Sequence, residues 1–181
     1  MFNFIKNKRR KHYISCVGRG DTSVQLPDMD SLGRVTIIMD RIEDLALFDS
    51  NVKDILHNAN TFYLFMDSSC SEGSGDGYSS AVMRSPDWNL WGMLREERKK
   101  VLTSMGNSDL LLNMSAKHRC ESDYVACMMP SSFKVAVNVK GIEVYDLMLN
   151  IAMTSNVIDV VNVVSDYLLM LNGNKNTDLV L

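Results

Sequence analysis

The amino-acid sequence predicts an α+β fold in which helices pack on an antiparallel sheet, preceded by a flexible basic arm. Short runs of β-branched and aromatic residues predict strands. Alternating valines followed by a Lys-Gly turn predict a hairpin. A length of 181 residues with 46% hydrophobic residues suits one domain plus a tail. We therefore predict a single domain over residues 34–181 and a mostly disordered arm over residues 1–33.

The predicted arm carries a strong positive charge. Six of the 19 Lys and Arg residues lie in the first 20 positions, where no Asp or Glu occurs, so the rest of the chain holds all 22 acids. The segment has little hydrophobic periodicity, which favours disorder. A cationic arm on an acidic body is typical of a protein that contacts a polyanion, either a phosphate backbone or an anionic lipid surface.

Apolar residues precede the basic run, and this combination suits a membrane interface. The predicted contacts with a membrane or nucleocapsid are Phe2, Phe4, Lys6, Lys8, Arg9, Arg10 and Lys11. Two alternatives remain open for the same residues. The run also suits a solubilising tail with chance apolar residues, or a nuclear import signal.

The first half of the domain is predicted to contain two strands separated by a short helix. The β-branched run Val35–Met39 predicts the first strand, and Thr61–Met66 predicts a second, interior strand. Asp49 offers an N-cap for a short helix that extends to Ala59. Residues 67–80 are rich in Ser and Gly, which predicts an exposed loop.

A longer helix is predicted next. Ser85 and Pro86 are typical of a helix start, and Gly106 is typical of a helix end. Leu90 and Trp91 fall on the apolar face of this predicted helix.

The C-terminal half is predicted to begin with strands. Tyr124–Met129 predicts one strand. A hairpin around Lys140-Gly141 would pair Val137 with Val144. A valine-rich stripe then predicts a final helix that ends at Gly173. This order of elements, with its hairpin, favours an antiparallel sheet.

No motif predicts catalysis or cofactor binding. The Gly-rich loop lacks the Gly-Lys-Ser/Thr of a phosphate cradle. His118, Cys120 and Cys127 fall short of the four ligands that a structural zinc site needs. We therefore predict a protein that is not an enzyme, without catalytic residues, a metal or a cofactor.

Several short segments resemble those of a known family. Met105–Leu110 resembles the helix-ending Gly-Ser-x-Leu segment of rhabdovirus matrix proteins. Arg119-Cys120-Glu121 resembles the Cys-Glu strand of that family, and Lys140–Glu143 resembles its Lys-Gly hairpin turn. The Pro-Pro-x-Tyr budding motif of animal-virus members is missing, which suits a plant-infecting, cytorhabdovirus-like relative.

The resemblance implies a structural virion protein. Such a protein would assemble beneath the viral envelope and bridge the membrane and the helical nucleocapsid during assembly and budding. The implied partners are an anionic membrane surface, the viral nucleoprotein–RNA complex, further copies of the chain and the viral glycoprotein. The implied location is the inner face of the envelope and the host cytoplasm and membranes, with the nucleus open if the basic run is an import signal.

The family's exposed apolar segment, which serves self-association or membrane contact, corresponds here to Leu110, Leu111, Leu112 and Met114, and we assign it to self-association. The residues alone leave open that these leucines complete the core. The alternative function is a viral RNA-binding accessory or movement-type protein that grips RNA with the same basic arm.

Overall fold

The protein folds around a six-stranded parallel sheet, seen in a computed structural model. The structure describes residues 2–17, 24, 26–40, 54–57, 59–66, 79–138, 142–151 and 157–177. The strands are β1 (Arg34–Met39), β2 (Asn60–Phe65), β3 (Ser79–Val82), β4 (Ser108–Asn113), β5 (Ser131–Val137) and β6 (Leu147–Leu149), and they lie in the order β3-β2-β1-β4-β5-β6. The helices are α1 (Phe2–Val17), α2 (Glu96–Ser104), α3 (Arg119–Met128) and α4 (Val157–Thr177), with short 3-10 turns at Met29–Ser31 and Ser85–Asp87.

The predicted antiparallel α+β sheet is wrong, because all five described strand pairings are parallel and the fold is α/β. Val137 pairs with Leu149 in β6 rather than with Val144 in a hairpin. The valine alternation misled because every residue from Phe133 to Val137 is buried. Such continuous burial is typical of a parallel strand covered on both faces, where alternation carries no information about pairing. The turn residues Lys140-Gly141 lie outside the described residues.

The two faces of the sheet build two cores. Alternate residues of each strand point to opposite faces. One face packs against α4 through residues such as Ile37, Leu112 and Val164. The other face packs against α2 and α3, as Ile38 and Leu111 show. Helices therefore cover both sides of the sheet, which explains its long apolar strands.

The N-terminal segment differs from the expected disordered arm, because Phe2–Val17 form α1. Helix α1 packs on α3, where the rings of Tyr13 and Tyr124 meet edge to face with centroids 5.0 Å apart. Ile14 is buried in the same contact. The helical periodicity of α1 was missed because its inward face contains a buried cation, Arg10, which interrupts the apolar pattern.

Two further segments differ from their predictions. Tyr124–Met129 belongs mostly to α3 rather than to a strand, and its buried residues fit either element. The leucines Leu110, Leu111 and Leu112 lie in the central strand β4 and are at most 1% exposed. They form part of the core, so the prediction that these leucines form an exposed self-association segment is wrong.

Other elements agree with the sequence more closely. The strands predicted at Val35–Met39 and Thr61–Met66 are confirmed as β1 and β2. The final helix is confirmed as α4, although it continues past Gly173 to Thr177. The helix predicted up to Ala59 and the Ser/Gly loop fall largely outside the described residues.

The long helix predicted from Ser85 is divided in the structure. Only Ser85–Asp87 and α2 are helical, and a tight turn separates them. Gly106 adopts a φ of +85° just after α2, which confirms the predicted helix end.

Candidate functional site

Helix α1 has an inward and an outward face. Arg10 and Ile14 point inward and are only 4% and 8% exposed. Phe4 points outward and is 73% exposed, and the neighbouring cations Lys8 and Arg9 are exposed as well. The spacing of four residues between Phe4 and Lys8 places them on one helix face.

Arg10 fixes α1 to the rest of the molecule. Its Nε donates a hydrogen bond to the Gly92 carbonyl at 2.7 Å, and its Nη1 donates to the Glu121 carboxylate. Its guanidinium lies 4.6 Å above the Trp88 ring. These contacts compensate a buried charge, which is otherwise costly. Arg10 was predicted to contact a membrane or nucleocapsid, but its side chain is engaged inside the molecule.

A tight turn between the two helical segments, residues 88–94, lies beside α1. Trp88 and Leu94 form an antiparallel bridge, and the Asn89 side chain accepts hydrogen bonds from the Trp91 and Met93 amides at 3.0 and 3.1 Å. Gly92 adopts a φ of +76°, a conformation that favours glycine. We call this segment the 88–94 turn.

The 88–94 turn presents two large apolar side chains to solvent. Leu90 is 81% exposed and Trp91 is 52% exposed. The sequence pattern placed both on the core face of a helix, so their exposure was missed. The sequence Asn-Leu-Trp-Gly could have predicted a turn here. β-turns favour Asn at the first position and Gly at the fourth.

Helix α1 and the 88–94 turn form one continuous surface. The Arg9 guanidinium lies 4.3 Å above the Trp91 ring. Lys6 packs so closely on Gly92 that an added Cβ there would lie 2.7 Å from the Lys6 Cβ. An open groove of about 790 Å³ runs along α1 and is lined mainly by apolar side chains, including Phe4 and Met93. We call the surface formed by Phe4, Ile5, Lys8, Arg9, Leu90 and Trp91 the α1 face.

The predicted contact residues therefore separate into groups. Phe4, Lys8, Arg9 and Lys11 are exposed, whereas Lys6 is half-buried beside Gly92 and Arg10 is buried. The side chain of Phe2 lies outside those described. Of the predicted self-association residues, the three leucines are buried in β4 and Met114 is half-buried, so no surface role is assigned to the leucines.

The carboxyl edge of the sheet is the usual ligand position in open α/β folds, at the point where the strand order reverses. Here that point lies between β1 and β4. The Asp40 carboxylate follows β1 and accepts hydrogen bonds from the Ser115 hydroxyl and from the Ala116 and Lys117 amides, the last two at 2.8 Å. An internal carboxylate therefore occupies backbone donors that would otherwise suit a ligand anion.

These hydrogen bonds also decide the protonation of Asp40. Burial raises the pKa of this carboxyl, but the hydrogen bonds from Lys117, Ser115 and Ala116, with a further one from the His118 amide, outweigh burial. The pKa of Asp40 is therefore held below its ordinary value of 3.8. Asp40 is an ionised structural group that joins β1 to the start of α3.

A buried polar network lies nearby, between β4 and α3. The Tyr145 hydroxyl donates to the Asp123 carboxylate at 2.7 Å, and the Asn113 amide donates to both of these groups. Burial raises the pKa of Asp123 and raises that of Tyr145 well above 10.0. Perturbed groups of this kind occur at active sites, but here they are hydrogen-bonded to one another. We interpret them as a structural network.

The structure offers little support for nucleophilic or metal chemistry. Cys120 and Asp123 line a cavity of about 500 Å³, but burial raises the pKa of the Cys120 thiol, which disfavours the reactive thiolate. Within the described ranges, no group of three or more His, Cys, Asp or Glu residues is placed to hold a metal ion. None of the helices among the described residues is both long enough and apolar enough to cross a bilayer.

Comparisons of the chain with protein-family models, with curated proteins and with solved structures found no match. The candidate site is therefore interpreted from its own geometry. The rhabdovirus matrix resemblance stays a prediction. Two of the segments on which it rests were expected as a strand and a hairpin, but in the structure Arg119–Glu121 begins helix α3 and β5 pairs in parallel with β6.

Proposed function

We propose that this protein is a non-enzymatic peripheral membrane protein that binds anionic bilayers through the α1 face. One observation carries the proposal: exposed apolar side chains, Phe4, Leu90 and Trp91, lie beside the exposed cations Lys8 and Arg9 on elements that are packed against the body. Large exposed apolar groups that adjoin cations are typical of membrane-binding surfaces.

The chemistry of each group suits the interfacial region of a bilayer. Trp is favoured at the level of the lipid headgroups, and Phe and Leu bury their side chains in the acyl region just below. Each Lys or Arg near an anionic leaflet contributes about 1 kcal/mol. Because Arg10 anchors α1, the protein need not order this surface when it binds.

The finer proposal is a matrix-type role. In that role the protein would assemble beneath a viral envelope and contact the nucleocapsid and further copies of itself. Support comes from the basic residues of α1 and from the short sequence segments that resemble rhabdovirus matrix proteins.

Vesicle flotation tests membrane binding. We expect the protein to float with vesicles that contain phosphatidylserine and to remain in solution with phosphatidylcholine alone. The double variant Lys8→Gln/Arg9→Gln should lose most of the bound fraction, because the α1 face loses two cations. The matched control is Lys100→Gln/Lys117→Gln, which removes two exposed cations outside the α1 face. Equal flotation of both double variants would contradict the proposal.

RNA binding is the second candidate, because Lys8, Arg9 and Lys11 are exposed cations on one helix. Filter binding of single-stranded RNA over a range of salt concentrations distinguishes the two. Binding that weakens steeply with salt, without flotation, would favour the RNA-binding function. The exposed Leu90 favours the membrane, since Leu offers no stacking surface to a base, whereas Trp91 suits either partner.

A further inference from the structure

A second cleft opens at the carboxyl edge of the sheet. It encloses about 390 Å³ and is bordered by Met66 and Met83, which follow β2 and β3. The basic and acidic residues that line it are Lys6, Arg10, Arg84, Arg95, His118 and Glu121. We call this site the edge cleft. It lies on the β2 side of the point where the strand order reverses.

The charges in the edge cleft do not balance. Glu121 is the one acid among its described lining residues, and its carboxylate already pairs with Arg10. Within the part of the chain that the structure describes, the side chains of Lys6 and Arg95 form no hydrogen bond or ion pair. Two cations therefore face the cleft without an anionic partner in that part of the protein.

We propose that the edge cleft binds a phosphate group, carried either by a small soluble molecule or by a lipid headgroup. Arginine and lysine are the side chains that proteins use for phosphate, and Arg can bind it through two parallel hydrogen bonds. The position at the carboxyl ends of parallel strands is where open α/β sheets bind ligands. The volume is within the range of small-molecule sites.

The mode of recognition follows from the neighbouring residues. Asp40 occupies the backbone amides ahead of α3, so the phosphate is bound by side chains, chiefly Lys6 and Arg95. Leu90 borders the edge cleft and also belongs to the α1 face. A headgroup could therefore enter the cleft while the α1 face contacts the bilayer, but binding of a soluble phosphate does not rest on the proposed membrane function.

Isothermal titration calorimetry on the full chain tests the site with inositol 1,4,5-trisphosphate and with inorganic phosphate as probes. We expect saturable binding of at least one probe. Arg95→Gln should weaken it about tenfold or more, because each charge-assisted hydrogen bond to phosphate is strong. The Arg95 side chain makes no capping hydrogen bond at α2, so this substitution leaves the helix start intact. Lys6→Gln should weaken binding similarly.

The matched control is Lys100→Gln, which removes an exposed cation of α2 outside the cleft and should leave affinity within about twofold. Absence of saturable binding by both probes at millimolar concentration, with no Arg95-dependent binding to vesicles that contain phosphatidylinositol 4,5-bisphosphate, would overturn the proposal. Equal weakening by Lys100→Gln would also overturn it. Arg95-dependent binding to those vesicles identifies a lipid headgroup, because inositol 1,4,5-trisphosphate is the soluble form of that headgroup. Binding of a soluble probe without binding to the vesicles identifies a free phosphate ligand. Flotation with phosphatidylserine alone reports the α1 face separately.

Discussion

Two aspartates near the carboxyl edge of the sheet have pKa values displaced in opposite directions. Asp40 accepts several hydrogen bonds that stabilise its carboxylate, so its pKa is lowered. Asp123 is more deeply buried, and burial raises its pKa despite the hydrogen bond from Tyr145. The same residue type therefore makes opposite contributions to the pH dependence of folding.

Asp40→Ala should lower the free energy of unfolding by about 1–2 kcal/mol at pH 6, because it removes the acceptor for the backbone amides ahead of α3. A lowered pKa means that the carboxylate stabilises the folded state above its ordinary value of 3.8 and loses this effect as pH falls through the folded pKa. The difference between wild type and variant should therefore shrink as pH falls below 3.8. Urea denaturation measures it, with Asp166→Ala, an exposed residue of α4, as the control. A difference that is constant with pH would contradict the assigned role.

The stability difference between Asp123→Asn and wild type should depend on pH in the opposite direction from that of Asp40→Ala. Because the folded pKa of Asp123 is raised, its contribution to stability is fully present below its ordinary value of 3.8 and is lost as pH rises through the folded pKa. The asparagine keeps the Oδ1 acceptor for Asn113 and Tyr145 but does not ionise. Relative to wild type, the variant should therefore become more stable as pH rises above 3.8, which urea denaturation at several pH values measures. A relative stability that falls with rising pH would be inconsistent with the buried carboxylate.

Arg9 and Arg10 are adjacent in sequence but have different environments. Arg10→Ala should lower the free energy of unfolding by about 2–3 kcal/mol, because Glu121 and the Gly92 carbonyl lose a charged partner. Arg9→Ala should change it by less than about 1 kcal/mol, since Arg9 is exposed and contacts only the Trp91 ring among the contacts described. Chemical denaturation measures both. Equal effects would indicate that α1 is not fixed through Arg10.

At the scale of elements, the sequence predicts some segments well and others poorly, for identifiable reasons. The sequences of β1 and β2 are rich in β-branched or aromatic residues, which favour a strand over a helix. Residues Phe133–Val137 are buried on both faces, so their alternation pointed to a hairpin that does not form. Residues Tyr124–Met128 of α3 are apolar enough for a strand, and the helix start at His118 contacts Asp40, which is distant in sequence. Pairing between distant strands is not encoded in any local pattern.

The candidate site was predicted in part. The basic run and Phe4 were found because charge is visible in sequence, and they are exposed in the structure except for Lys6 and Arg10. The inward orientation of the Arg10 side chain depends on its contact with Glu121, which lies 111 residues away in sequence. No local sequence pattern predicts such a contact. The edge cleft was missed for the same reason, since its Lys and Arg side chains come from three separate segments.

The leucines of β4 provide a test at the element scale. Leu111→Ala should lower the free energy of unfolding by about 2–5 kcal/mol, because Leu111 is fully buried in the sheet. Leu169→Ala, at a position of α4 that is 44% exposed, should cost less than about 1 kcal/mol. Thermal and urea denaturation report both. Unchanged stability of the Leu111→Ala variant would indicate that the leucine segment is exposed, and it would contradict the central position of β4.

At the scale of the whole molecule, the fold separates stability from surface chemistry. The sheet and its two covered faces hold the apolar core, while α1 and the 88–94 turn carry exposed apolar and cationic groups at one side. The contact of Arg10 with the Gly92 carbonyl holds α1 against the body, which would lower the entropy cost of the proposed binding to a bilayer.

The two tryptophans of the chain allow the most direct test of membrane binding through the α1 face. Trp91 is exposed on that face, whereas Trp88 is half-buried beneath Arg10. Each variant, Trp88→Phe and Trp91→Phe, leaves a single tryptophan whose fluorescence is recorded with phosphatidylserine vesicles that contain brominated lipid. We expect a blue shift and strong quenching when Trp91 remains, and neither when Trp88 remains. Vesicle binding with equal quenching of the two tryptophans, or with quenching of Trp88 alone, would show that another surface meets the membrane.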